Sequence, residues 1–270
     1  MARSQDVTSR DGTRIATYRW EPAGPIKADV LLCHGLAEHM GRYEHIAAAL
    51  TAKGWRVTGV ELRGHGQSDG KRGHVDRWTD YVDDLRAAAA LIGGPYAILA
   101  HSMGGLVALE HLRTAKDVTA AALCAPAVGA GVPIPAWKLG GSRLLNRLVP
   151  RLSMSNEIPP EWICSYEPVV AAYKADPLVY GTITPRWFIE MNRTIAACFE
   201  HAPDYSTPMF LFWGTGDRIV SQDALQRFAT AAHAPHRAWP DLFHECMNEA
   251  NRDEVLAVAT SWLAEHLPSA

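Results

Sequence analysis

A serine that is to act as a nucleophile needs a tight turn to expose it, a base to take its proton and an acid to orient the base. Ser102, Asp217 and His244 are residues of these types. Ser102 lies in Tyr96-Ala97-Ile98-Leu99-Ala100-His101-Ser102-Met103-Gly104-Gly105, followed by an Ala/Leu/Val-rich stretch. The pattern reads as strand, sharp turn and helix, the layout of a nucleophile elbow. Such a turn brings backbone segments close together, so residues two before and two after the serine must be small. Gly104 meets that need, and Ala100 stands where a glycine is usual. Asp217 follows the apolar run Met209–Trp213, and His244 lies in a loop before the last helical stretch. Taken singly, Asp217 reads as a turn or cap residue and His244 as a loop histidine. Together they give the chain order serine, acid, histidine, each at the carboxyl end of a strand, where open α/β sheets bind ligands.

Acyl transfer also needs backbone N–H groups facing the developing oxyanion. Met103, directly after the serine, supplies one. The loop after an earlier strand should supply the other, and His34-Gly35-Leu36 stands there. Gly35 permits a turn that lets the Leu36 amide point inward.

The elements that must carry these groups follow from periodicity. Val7 to Arg19 reads as two short strands around Asp11-Gly12. Strands are expected at Ala28–Cys33, Trp55–Val60, Tyr96–Leu99, Thr119–Cys124, Met209–Trp213 and Arg237–Trp239. Helices are expected at Tyr43–Lys53, Trp78–Ile92, after Ser102 to about Arg113, Asp223–Ala232 and Asn251–His266. Alternation of this kind predicts a mostly parallel sheet with helices on both faces. It is interrupted between Ala127 and Pro203, a segment rich in Pro, Trp, Leu and Tyr without a clear strand. We expect residues 1–126 and 204–270 to form the core and 127–203 a mainly helical cap.

Composition narrows the function. The chain has 270 residues, 48% of them hydrophobic, and a net charge of -3, which gives no reason to expect nucleic acid. No HExxH or similar ligand spacing calls for a metal, and no motif calls for a cofactor. Arg63 to Gly70 has the glycines of a phosphate loop but lacks the Gly-Lys-Ser/Thr ending, so it reads as a structural turn. The polar stretch Met1 to Asp11 lacks a signal-peptide core, and the five cysteines form no CxxC pair. Free thiols in the cytoplasm are the expectation.

His34 to Tyr43 resembles the HGxxEHxGRY signature of monoacylglycerol lipases. Arg63-Gly64-His65-Gly66-Gln67-Ser68, His101-Ser102-Met103-Gly104-Gly105, Tyr173-Lys174-Ala175-Asp176-Pro177-Leu178 and the pair His244-Glu245 are similar to the same family. The resemblance implies an α/β-hydrolase fold, with a mostly parallel eight-stranded sheet, and a serine hydrolase. It implies Ser102 as nucleophile, His244 as base and then acid, Asp217 as its partner, and the Leu36 and Met103 amides as the oxyanion hole. Gly35 and His101 would border the substrate, and Glu38 and Arg42 would help hold a glycerol head group. Three departures stand out: Ala100, Glu61 where aspartate is usual, and Met247 where some relatives carry a polar residue.

Within the cap, Arg143, Arg147 and Arg151 form a stripe beside Leu144, Leu145, Leu148, Val149 and Leu152. Gly140-Gly141 and Pro150 should limit this helix to two or three turns. Its leucines are expected to pack on the core, with peripheral membrane contact as the other reading. Trp137, Trp162 and Trp187 are candidates for an acyl channel or for lid core. The expected substrate is a small lipid ester, a monoacylglycerol or similar monoester. A general carboxylesterase acting on lysophospholipids or other single-arm esters is the nearest rival, and a ligand-binding protein without catalysis is a rival of another class.

Overall fold

The computed structural model describes residues 5–132 and 136–267, and side chains from 140 onward in the segment that begins at 136. The hairpin β1 (Val7–Thr8) and β2 (Arg14–Ile15) precedes β3 (Thr17–Trp20). The apolar runs then fold as β4 (Ala28–Cys33), β5 (Trp55–Val60), β6 (Tyr96–His101), β7 (Val118–Cys124), β10 (Met209–Gly214) and β11 (His236–Trp239). Seven strands make the central sheet in the order β11-β10-β7-β6-β4-β5-β3. All neighbours are parallel except β3, which runs antiparallel to β5. Every residue of β6 and β10 is buried, as expected of strands covered on both faces. Helices α1 (Glu44–Thr51) and α8 (Arg252–His266) pack together, as do α2 (Trp78–Ala89) and α3 (Met103–Leu112). Helix α7 (Gln222–Ala231) joins β10 to β11.

The main sheet has seven strands among the described residues, not eight. The first ribbon pairs with itself, Val7 opposite Ile15 and Thr8 opposite Arg14, instead of extending the sheet. Backbone groups that could have continued the ladder turn to the loop after β5. The Asp69 N–H donates to Arg14 O, and the Ala16 N–H to Ser68 Oγ. Glu61 and Arg63 knit that loop to the rest. Glu61 Oε1 accepts from the Met40 N–H, and its carboxyl fills the space beside Gly66 (φ +48°) where a Cβ would sit. The longer side chain is thus accommodated opposite a glycine. Arg63 donates to buried Asp84 and to Asp11, as befits a structural turn.

Between β7 and β10 lie α4 (Ala136–Leu148), β8 (Met154–Ser155), α5 (Glu167–Ala175), β9 (Thr182–Ile183) and α6 (Pro185–Glu200). Two features depart from the sequence expectation. β8 and β9 pair as a two-residue antiparallel ribbon, too short to leave a periodic signal. Helix α4 spans 13 residues and passes through Gly140 and Gly141. Glycine costs a helix interior roughly 1 kcal/mol relative to alanine but does not end it. Asp176 accepts from His39 (2.8 Å), Tyr180 Oη lies 2.6 Å from His65 Nε2, and Thr184 Oγ1 lies 2.9 Å from His74 Nδ1. These three contacts tie the inserted segment to the sheet-bearing part.

Candidate active site

β6 ends at His101 and α3 begins at Met103, so Ser102 alone makes the turn. Its φ of +51° and ψ of -117° lie in a region that non-glycine residues rarely occupy. Three hydrogen bonds hold it there: the Ser102 N–H donates to Cys124 O, and Ser102 O accepts from the Leu106 and Ala127 N–H groups. Surroundings that over-determine a strained residue are what lets it persist. Gly104 is required by space. A Cβ there would lie 2.3 Å from His34 O and 2.7 Å from Cys33 O. Ala100 stays in register with both Cys33 and Leu123 and is fully buried, so the extra methyl group is tolerated.

The acid turn and the histidine loop are built against each other. The Thr215 N–H donates to Trp239 O, the Gly216 N–H to Leu242 O, and the Asp241 N–H to Thr215 Oγ1. Leu242 O comes so close to Gly214 that a Cβ there would lie 1.9 Å from it. This apposition brings His244 Nδ1 to 2.8 Å from Asp217 Oδ2 and His244 Nε2 to 2.8 Å from Ser102 Oγ. With Nδ1–H given to the carboxylate, Nε2 is left to accept from the serine hydroxyl. Asp217 Oδ1 accepts from the Ile219 and Val220 N–H groups. Burial pushes the Asp217 carboxyl up, yet His244 and these two donors outweigh it and hold the carboxyl below its ordinary value. An ionised carboxylate in that place holds the imidazole with its proton on Nδ1.

Beside Ser102 the loop after β4 forms a second, denser cluster. Glu38 Oε1 accepts from the Gly35 N–H (2.6 Å) and from Tyr43 Oη (2.8 Å), and Oε2 from Arg42 Nη1 (2.7 Å). Arg42 also donates from both terminal nitrogens to Glu245, at 2.7 and 2.6 Å, and its guanidinium lies over the Tyr173 ring. Burial raises the Glu38 pKa, but the charges of Arg42 and His101 and the Gly35 N–H bring it down to about 2. His101 stacks beside His244, with ring centroids 4.7 Å apart. Burial pulls His101 down, while Cys124, Glu38 and Glu245 outweigh it and push the imidazole up to about 9.

A cavity of about 790 Å³ opens above Ser102. Gly35, Leu36, Glu38, His101, Met103 and His244 line it near the serine, and Asp217 stands behind His244, outside the wall. Arg42 is likewise absent from the wall, masked by Glu38 and Glu245. Two contributors went unpredicted at this end, Tyr173 and Glu245; their only sequence signal was membership of the motifs around Asp176 and His244. Elsewhere the lining includes Asn156, Glu157 and Arg218 but is mainly apolar: Leu145 from α4, Met154, Ile158 and Ile183, and Phe188, Met191 and Ile195 from α6. The spacing of the last three was a helical stripe visible in the sequence. Trp162 and Trp187 line the cavity too, whereas the Trp137 side chain lies outside the described residues. Of the leucines on α4, Leu145 faces the cavity, but Leu144 and Leu148 are 58% and 66% exposed. The expectation that this stripe packs on the core therefore fails for those two, and also for Val149 and Leu152, which are likewise exposed. Cys246 is fully buried, donates to Phe243 O and does not line the cavity.

Comparison with known proteins agrees with this architecture. The model of the Hydrolase_4 family, described as serine aminopeptidase, S33, matches residues 24–251. A monoacylglycerol lipase of Mycolicibacterium smegmatis is 32% identical over 95% of this chain and 95% of its own length. An uncharacterized abhydrolase domain-containing protein of Dictyostelium discoideum is 29% identical over 98% of this chain, which spans only 29% of that larger protein. Among solved structures, the monoacylglycerol lipase of Paleococcus ferrophilus superposes with a TM-score of 0.86 at 25% identity, covering 93% of this chain and 99% of the other. The chain belongs to the Hydrolase_4 family and is a monoacylglycerol lipase-like α/β-hydrolase, a carboxylic ester hydrolase.

Proposed function

We propose that the protein hydrolyses small lipid monoesters, with monoacylglycerols as the preferred class, through an acyl-enzyme on Ser102. The observation that carries this is the continuous line Ser102 Oγ, His244 Nε2, His244 Nδ1, Asp217 Oδ2, with 2.8 Å at each hydrogen bond. It opens into a cavity whose lining beyond the charged and imidazole groups beside the serine is mainly apolar.

Ser102 Oγ attacks the ester carbonyl as its proton passes to His244 Nε2. The carbonyl oxygen becomes an oxyanion facing the Leu36 and Met103 N–H groups. His244 returns the proton to the departing alkoxide, leaving the acyl group on Ser102. Water then attacks that ester, giving a proton to His244, which passes it to Ser102 Oγ as the carboxylic acid leaves. Asp217 stays ionised throughout and orients the imidazole. A fatty acyl chain fits the limb bounded by α4 and α6, and the alcohol sits near Tyr173 and Glu245. Residues 127–203 act as the cap over this site. The exposed Leu144 and Leu148, with Arg143 and Arg147 beside them, suit contact with an anionic lipid surface.

Ser102→Ala tests the chemistry. Hydrolysis of a monoacylglycerol and of a chromogenic ester should fall on the order of 10⁶-fold, and fluorophosphonate labelling should disappear. Full activity in that variant overturns the assignment. Comparing kcat/KM on monoacylglycerols, lysophospholipids and simple esters tests the substrate; no advantage for glycerol esters leaves a broad carboxylesterase. Leu148→Asp should weaken sedimentation with anionic vesicles while leaving hydrolysis of a soluble ester unchanged; unaltered sedimentation removes the membrane contact.

A further inference from the structure

The family resemblance gives Glu38 to the glycerol head group, but its contacts give it other work. Oε1 is 2.6 Å from Gly35 N and 2.8 Å from Tyr43 Oη, Oε2 is 2.7 Å from Arg42 Nη1, and the side chain is 3% exposed. The carboxyl also lies flush against Gly35, since a Cβ there would meet Glu38 Oε1 at 2.7 Å. Ala37, at φ +66°, turns the chain back so that Glu38 can reach Gly35.

The next peptide unit is held from its other side. His34 Nδ1 donates to Gly35 O at 2.7 Å, and His34 Nε2 accepts from the Leu62 N–H at 3.1 Å. These two bonds fix both the tautomer and the ring. Gly35 O and the Leu36 N–H belong to the same peptide plane, where C=O and N–H point in opposite directions. Pinning that carbonyl on His34 therefore aims the Leu36 N–H away from His34. Among the described residues, no backbone hydrogen bond uses the Leu36 N–H, and Leu36 lines the cavity. The Gly35 backbone is thus gripped in two consecutive planes, by Glu38 at its N–H and by His34 at its C=O.

We propose that Glu38 is a positioning residue for the oxyanion donors: with His34 it locks the two peptide planes around Gly35, so that the Leu36 N–H is set in place before substrate arrives. This rests on Ser102 being the nucleophile. Donors placed in advance lower a barrier because no reorganisation is needed as charge develops. Glu38 acts through Gly35 and need not touch the alcohol of the ester. Its effect should therefore be blind to what the leaving group is.

The test measures kcat and KM for Glu38→Ala and Glu38→Gln on a monoacylglycerol and on a p-nitrophenyl ester that has no glycerol. Binding of a trifluoromethyl ketone is measured as the transition-state readout. Glu38→Ala should lower kcat about 10- to 100-fold on both esters, with little change in KM, and should weaken the ketone by a similar factor. Glu38→Gln keeps an oxygen for the Gly35 N–H and should recover most of the loss. A defect confined to the glycerol ester and carried by KM overturns the proposal in favour of head-group binding. Equal kinetics in Glu38→Ala and wild type overturns it as well. Should Glu38→Ala fail to fold, Glu38→Asn withdraws the carbonyl from Gly35 and is read by the same criteria. Fluorophosphonate labelling of Ser102 in wild type keeps the two questions apart, because it fails only if the nucleophile itself is wrong.

Discussion

The floor and the roof of the cavity are built by different rules. The floor hangs on strand ends, where three backbone hydrogen bonds hold Ser102, backbone donors hold Asp217, and close approaches at Gly104 and Gly214 leave no room for a side chain. The roof consists of α4 and α6. It presents apolar side chains to the cavity, it leaves Leu144 and Leu148 in solvent, and its glycines Gly140 and Gly141 have nothing within 4 Å of a Cβ position. The floor fixes atoms to within a hydrogen bond because bond making requires it. The roof needs only to exclude water and offer an apolar surface, which many side chains can do. Reaction type should therefore be intolerant of substitution on the floor, and substrate range should be adjustable from the roof.

The largest effect expected from breaking this contrast is at Asp217. Asp217→Asn keeps the shape but loses the charge that orients His244, and kcat should drop about 10⁴-fold while the fold survives. Steady-state kinetics with circular dichroism would check it. A drop below about 10-fold would mean that the floor tolerates a wrong tautomer and is less exacting than supposed.

Arg42→Met comes next, and its effect falls on stability. It strands Glu38 and Glu245 beneath the floor without their shared cation, and breaking a buried pair in this way costs about 3–5 kcal/mol. Denaturant melts would measure it. The pH dependence has a definite sign. The Glu38 carboxyl is held at about 2 in the folded chain, against an ordinary 4.5. Its contribution is complete above the ordinary value and is lost as the pH falls from there toward 2. Asp217, held below its ordinary value, acts in the same direction. Arg42→Met removes the strongest charge lowering Glu38, so Glu38 should no longer lose stability in acid, and the stability gap between variant and wild type should narrow as the pH falls from 4.5 toward about 2. A gap that stays constant across that range would show that Arg42 does not govern the titration.

The smallest effects separate floor from roof most directly. Gly104→Ala puts a methyl group 2.3 Å from His34 O and should destabilise by about 1–3 kcal/mol as an overpacked site. Gly140→Ala meets open space within a helix and should stabilise by roughly 0.5–1 kcal/mol. Melting temperatures of the pair would settle the sign at each position. Two shifts of the same sign would erase the distinction.

Most of the core was legible because strands buried on both faces must be largely apolar, as in the run that coincides with β4, and the strand expected at Trp55–Val60 coincides with β5. The elbow at Ser102 was legible for a local reason: one turn, two small flanking residues and a helix specify it within ten positions. The hairpin around Asp11-Gly12 forms where it was expected, but the eight-strand count failed, since whether a short strand joins the main sheet depends on partners about fifty residues away, here Ser68 and Asp69. Helix α4 misled in two respects. Gly140-Gly141 weaken a helix without stopping it, and amphipathicity does not say which face finds a partner.

By itself, then, the sequence picked out Ser102, Asp217 and His244, in that order and at strand ends, as the groups for the proposed chemistry, because strand-end geometry turns local motifs into fixed positions. Tertiary structure alone decided the rest. It placed Arg42 behind Glu38 and Glu245 instead of in the cavity wall, turned Glu38 onto Gly35, and set Phe188, Met191 and Ile195 opposite the serine. These are contacts between segments far apart in the chain, and side-chain type does not reveal which of several possible partners a buried charge or an apolar stripe will meet.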